Sequence, residues 1–122
     1  DSAIYKLIEK MNLNTLLGRL NNKLDSKLDE KGLNLSGGEI QRIGICRALI
    51  YGPQILFLDE ATSSLDTFTE QQILNELKLF QENTIISIAH RINTLKNCSK
   101  IYCIDNGKVV DQGNFDKFKI QN

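Results

Sequence analysis

The run Ile55-Leu56-Phe57-Leu58-Asp59-Glu60, ILFLDE, is four consecutive apolar residues ending in two adjacent carboxylates. So short a run without polar alternation predicts a strand covered on both faces, as in the interior of a parallel sheet. Gly52-Pro53 stands just before it and stops any helix arriving from the N-terminal side. Residues 84–89, TIISIA, read as a second interior strand that ends at His90. Between the two, Ile73, Leu74, Leu77 and Phe80 recur at helical spacing. Thr67 with Glu70 three residues later predicts a capping box at the start of that helix.

Further toward the N-terminus, Ser36 followed by Glu39 predicts another capping box and a helix over about 38–51. Ahead of it, Ile4, Leu7, Ile8 and Met11 mark an amphipathic helix. Leu13, Leu16, Leu17, Leu20, Leu24 and Leu28 suggest a second short helix running into a polar loop that ends at Gly32. Toward the C-terminus, residues 100–105 and 108–111 flank Asn106-Gly107, the signal of a type I′ hairpin. The order helix, strand, helix, strand, helix, hairpin predicts an α/β fold.

The 122 residues suit about one domain, and 41% apolar with 25% charged residues is an ordinary globular balance. Fifteen basic and fifteen acidic residues cancel, which removes the electrostatic case for a nucleic-acid partner. No apolar run approaches the ~20 residues of a membrane span, and no basic-then-apolar leader opens the chain. Cys46, Cys98 and Cys103 are odd in number and lack metal-knuckle spacing. Cys98, Cys103 and His90 could supply three zinc ligands, but reduced thiols packed as small apolar groups are the simpler reading.

Ligands of open parallel sheets sit beyond the carboxyl ends of the strands. Asp59-Glu60 at such an edge either cap the next turn or meet a cation and an attacking water. His90 at the same edge is either structural or a donor to a phosphate oxygen. Ser36-Gly37-Gly38 is either a plain helix start or an anion cradle, since glycines let backbone N–H groups approach a phosphate at a helix N-terminus.

Taken together these segments resemble the ATP-binding-cassette (ABC) family. LSGGE at 35–39 matches its signature motif, and ILFLDE at 55–60 looks like its Walker B strand. SSLD at 63–66 is similar to the D-loop and SIAHR at 87–91 to the switch-histidine segment. The resemblance implies part of a P-loop NTPase (RecA-like) fold with a mostly parallel sheet. Residues 1–50 would be the remainder of the helical signature subdomain, and 51–122 the C-terminal part of the ATPase core with its β-hairpin. It further implies two nucleotide-binding domains paired head to tail around ATP and Mg²⁺. Leu35, Ser36, Gly37, Gly38 and Glu39 would close over the ATP of the partner domain. Asp59 would hold Mg²⁺ through water, Glu60 would be the catalytic base and His90 the γ-phosphate switch. Asp66 would communicate across the dimer.

DEATSSLD at 59–66 resembles exporter-type cassettes, and residues 29–32 resemble the cross-loop that touches the membrane domains, with Glu30 as the contact. The resemblance thus implies an ATPase at the cytoplasmic face of a membrane, exporting a cargo such as a lipid, glycan or peptide. No GxxxxGK[ST] occurs in the 122 residues, so this part is expected upstream, and the chain alone is expected to be inactive. Two other readings stay open. One is a non-catalytic half-cassette completing a partner's ATP site. The other is a chromosome-maintenance or DNA-repair ATPase, although no heptad coiled coil precedes the signature and Ala61 follows Glu60.

Overall fold

The computed structural model describes residues 2–28, 35–80 and 82–119. Its centre is a parallel pair in which β1 (Ile55–Asp59) runs beside β2 (Thr84–Ile88), in register from Ile55↔Thr84 to Asp59↔Ile88. Helix α4 (Thr67–Leu77) makes the crossover between them, as a parallel pair requires. Leu56 and Leu58 point into the core, whereas Ile55 and Phe57 alternate outward and Phe57 is 67% exposed. The expectation of two covered faces is therefore corrected: among the described residues the core forms on one side of β1 only.

That core is one cluster. It joins Ile8 of α1 (Ser2–Lys10) and Leu16 of α2 (Asn14–Arg19) to Ile45 and Leu49 of α3 (Gly37–Leu49). These pack with Leu56 and Leu58 of β1 and with Ile73, Leu74 and Leu77 of α4. Met11 and Ile73 have no exposed surface at all.

Polar groups fasten α3 to α4. Arg42 donates from Nε to Glu76 Oε2 at 2.9 Å and from Nη2 to Glu76 Oε1 at 3.2 Å, with both side chains buried. Asn12, just past α1, adds its amide to Glu76 Oε1 at 2.8 Å. The two helices approach closely at the N-terminal end of α3. A Cβ on Gly38 would stand 2.6 Å from Thr69 Cγ2, and one on Gly37 would stand 3.2 Å from Leu65 Cδ2.

Of the two capping boxes expected from the sequence, one changes. Helix α4 has no Thr67–Glu70 capping box. Asp66 is its cap, accepting from the N–H groups of Phe68 and Thr69 at 3.1 and 3.0 Å. Aspartate suits this position because its carboxylate satisfies free N–H groups beside the positive end of the helix dipole. Glu70 is thereby released to turn inward. The capping box at Ser36 and Glu39 is present as expected.

The hairpin pairs β3 (Ile101–Asp105) with β4 (Lys108–Gly113), with a bulge at Cys103/Ile104. Asn106 and Gly107 take φ of 47° and 74°, the pair of positive angles a type I′ turn needs. A short helix, α5 (Phe115–Lys119), follows and buries Phe118; the sequence pattern did not signal it. The cross-loop at 29–32, with Glu30, lies outside the described residues.

Two glycines of α3 provide an internal contrast. Gly38→Ala must push α3 from α4 and is expected to cost about 1–3 kcal/mol of unfolding free energy. Gly44 faces open space in the same helix, so Gly44→Ala is expected to gain up to about 1 kcal/mol. Urea unfolding measures both, and a shift of the same sign at the two positions would contradict the close helix contact.

Candidate functional site

Asp59, Glu60 and His90 meet at the carboxyl edge of the parallel pair. The Glu60 N–H still donates to Ile88 O at 3.0 Å, so the ladder carries one residue beyond the strand. Glu60 itself takes φ of 46°, a left-handed conformation unfavourable for a residue with a Cβ. Strain of this kind gathers at functional sites. It turns the Glu60 side chain toward β2, where Oε1 lies 2.8 Å from His90 Nε2. Both side chains are exposed, and an exposed pair adds little to stability. With Glu60 ionised, Nε2 carries the shared proton. Asp59, the last residue of β1, is exposed at the same edge.

Ser36 opens α3. Its Oγ accepts from Glu39 N at 3.2 Å, and its own N–H donates to Glu39 Oε2 at 2.9 Å. Arg19 of α2 pairs with Glu39 Oε1, so Glu39 ties the cap to the neighbouring helix. Leu35 packs against the core cluster and anchors the approach to the cap. Ser36 Oγ, used here as an acceptor, keeps its proton for an incoming acceptor. Gly37 and Gly38 present the first backbone N–H groups of the helix. Sequence reasoning attributed these glycines to anion approach; their contacts with Leu65 and Thr69 supply a second reason internal to the chain.

Asp66 lies between Leu65 and Thr69, the residues that pack against this helix start. Its carboxylate is held below its ordinary pKa of 3.8 by the Thr69 hydroxyl first, and then by the Thr69 and Phe68 N–H groups. The sequence reading missed Arg91, whose guanidinium donates to Ser63 O at 3.1 Å and Leu65 O at 3.5 Å. Its only signal was its place next to His90. Through Arg91 the segment after His90 grips the 63–66 loop.

No group of three or more His, Cys, Asp and Glu among the described residues is arranged to hold a metal. This disfavours a zinc site at Cys98, Cys103 and His90. Burial pushes the Cys46 thiol up to about 11, with Glu76 adding to it, and burial also raises Cys98. Cys103 is exposed, contrary to the packed role expected for all three. The grooves along α1, one lined by Lys6, Lys10 and Leu49 and another by Asn12, Gln72 and Glu76, contain none of the candidate residues. The candidate site is an open edge.

The family model described as ABC transporter matches residues 1–63, just over half the chain. The chain belongs to the ABC transporter family. A Rickettsia typhi protein named as an export ATP-binding/permease protein is 46% identical over 114 residues, 93% of this chain and 20% of that protein. The mitochondrial iron-sulfur clusters transporter of Danio rerio is 39% identical over 112 residues, 91% of this chain and 15% of that protein. A bacterial Atm1-family ABC exporter with ATP bound superposes with a TM-score of 0.82 at 36% identity, covering 99% of this chain and 21% of that one. The chain thus spans about a fifth of the length of such relatives. Its fold is part of the P-loop NTPase fold of an ABC exporter's nucleotide-binding domain, with a small parallel sheet. The relatives are membrane exporters; no helix among the described residues is itself long and apolar enough to cross a membrane.

The Asp66 cap gives a pH signature. Its folded pKa is depressed, so its stabilisation is present above 3.8 and fades as pH falls toward the folded value. Asp66→Asn keeps a capping side chain without the charge. The melting temperature of the unsubstituted chain is expected to exceed that of Asp66→Asn at neutral pH, with the gap closing below about pH 4. A gap that widens in acid would contradict the cap.

Proposed function

We infer that this chain supplies the signature and phosphate-sensing part of an ABC exporter's ATPase, which hydrolyses ATP between two head-to-tail nucleotide-binding domains. The observation that carries this reading is the Glu60–His90 contact of 2.8 Å on a residue at positive φ. A carboxylate at that edge can orient a water and take its proton as the water attacks the γ-phosphorus. The imidazole that holds this carboxylate through Nε2–H can turn that donor to a phosphoryl oxygen and stabilise the charge that develops there. Glu60 is thus the catalytic base and His90 the phosphate sensor.

Ser36 Oγ–H and the N–H groups of Gly37 and Gly38 serve as the cradle for the nucleotide of the partner domain. Leu35 and Glu39 hold that cradle in shape, and Asp66 fixes the loop beside it. For Mg²⁺ the donor set is one exposed carboxylate, Asp59. That fits a cation which keeps most of its waters and takes its remaining ligands from phosphates. Bound there, Mg²⁺ would neutralise phosphate charge. The partners are a second nucleotide-binding domain and the membrane domains, reached through Glu30. The assembly stands at the cytoplasmic face of a membrane. Residues 1–50 form the signature side and 51–122 the hydrolytic side.

The exporter reading is favoured over a chromosome-maintenance ATPase because proteins named as an export ATP-binding/permease protein and an ABC exporter match more than nine-tenths of the chain. The cargo is a separate matter. A lipid, glycan or peptide was expected, whereas the relatives include an iron-sulfur clusters transporter and a Schizosaccharomyces pombe heavy metal tolerance protein. Similar cassette segments therefore accompany different cargoes.

In a cassette that joins these residues to a phosphate-binding loop, Glu60→Gln is expected to slow ATP turnover at least about 100-fold while ATP binding persists. The 122 residues alone are expected to hydrolyse no ATP above background. Steady-state phosphate release and nucleotide-binding titrations measure both. Turnover that survives Glu60→Gln, or activity of the isolated chain that this change abolishes, would refute the respective claim.

A further inference from the structure

Glu70 occupies the first turn of α4, yet its side chain turns inward and is 2% exposed. Oε1 accepts two hydroxyl hydrogen bonds, from Thr62 Oγ1 at 2.7 Å and from Thr94 Oγ1 at 2.8 Å. Arg91 Nη1 stands 3.9 Å from Oε2. Thr62 lies two residues after Glu60. Thr94 lies four residues after His90, in the 3₁₀ turn Ile92–Leu95, and Arg91 is the neighbour of His90. One buried carboxylate thus holds the segments that follow both members of the edge pair. A buried carboxylate is tolerated only with such partners, and an apolar residue would fill this stripe of α4 without the desolvation cost.

Resting on the reading of Glu60 and His90 as the hydrolytic pair, we propose that Glu70 is a positioning residue. It clamps the turn after β1 to the segment after β2, so that the two functional side chains stay within hydrogen-bond reach. Thr62 and Thr94 are the two jaws. Arg91 extends the clamp to the Ser63 and Leu65 carbonyls, so the 63–66 loop moves with His90. A displacement of about 1 Å in a catalytic group costs on the order of a hundredfold in rate. Freeing either jaw should therefore act on turnover while leaving nucleotide affinity in place.

The test uses the complete cassette, with ATPase kcat and KM, ATP affinity and melting temperature measured together. Thr94→Val is nearly isosteric and removes one jaw's hydroxyl. It is expected to lower kcat about tenfold or more with KM close to that of the unsubstituted protein, and to lower the melting temperature as well, because the buried carboxylate loses a partner. Thr94→Ser restores the hydroxyl and is expected to restore kcat. Because both jaws act through one carboxylate, Thr62→Val/Thr94→Val is expected to be no slower than the slower single variant. Unchanged kcat in Thr94→Val, losses that multiply in the double variant, or a fall in melting temperature in place of kcat would each overturn the clamp. Glu60→Gln, run in parallel, separates the two claims. If it leaves turnover intact, the underlying reading of the site fails; if it stops turnover while the threonine variants keep full kcat, only the role of Glu70 fails.

Discussion

The rest of the molecule depends on how α3 meets α4, and the buried Arg42–Glu76 pair sets that meeting. A buried ion pair recovers its desolvation cost only when its geometry is good and its remaining valences are filled. Here Asn12 and Gln72 complete the set around the two charges. The arrangement has one register, because sliding either helix would strand a charge without a partner. That register brings Gly38 against Thr69 and Gly37 against Leu65. The anion-facing start of α3 and the capped start of α4 are therefore parts of one rigid corner.

From that corner the architecture runs to the sheet edge. Helix α4 leaves Asp66, passes Glu70 and leads into β2, while β1 delivers Asp59 and Glu60 beside Ile88 and His90. The edge pair is exposed and contributes little to holding the fold together. What fixes it lies behind it, in the Thr62–Glu70–Thr94 bonds and the ladder bond from Glu60 to Ile88. On the other side of the sheet, Ile55, Phe57, Ile86 and Ile88 form exposed apolar surface. The described residues thus cover one face of the parallel pair and leave the other open.

Local signals read correctly at two turns of the chain. Asn106-Gly107 dictates its hairpin turn because few other residues adopt two successive positive φ angles. Ser36 and Glu39 announce their cap because the partners lie three residues apart. At Thr67 and Glu70 the same logic failed. Asp66 competed for the cap and won, as a charged acceptor whose two oxygens take the Thr69 hydroxyl and the free N–H groups. Glu70 was then free to find partners 8 and 24 residues away, which no window along the chain could reveal.

The sequence by itself carried the family, the two parallel strands with the helix between them, and the hairpin; it expected a helix where only the 3₁₀ turn Ile92–Leu95 forms and gave no sign of α5. What it carried resides in side-chain type and short spacing, which a linear text preserves. Only the tertiary structure decided that Glu60 touches His90, that Asp66 spends its carboxylate on a helix, and that Gly38 is required by Thr69. It also decided that one face of β1 is open, although the run ILFLDE reads as buried on both. Periodicity records which residues prefer to leave water; which of them find cover depends on contacts between segments distant in sequence.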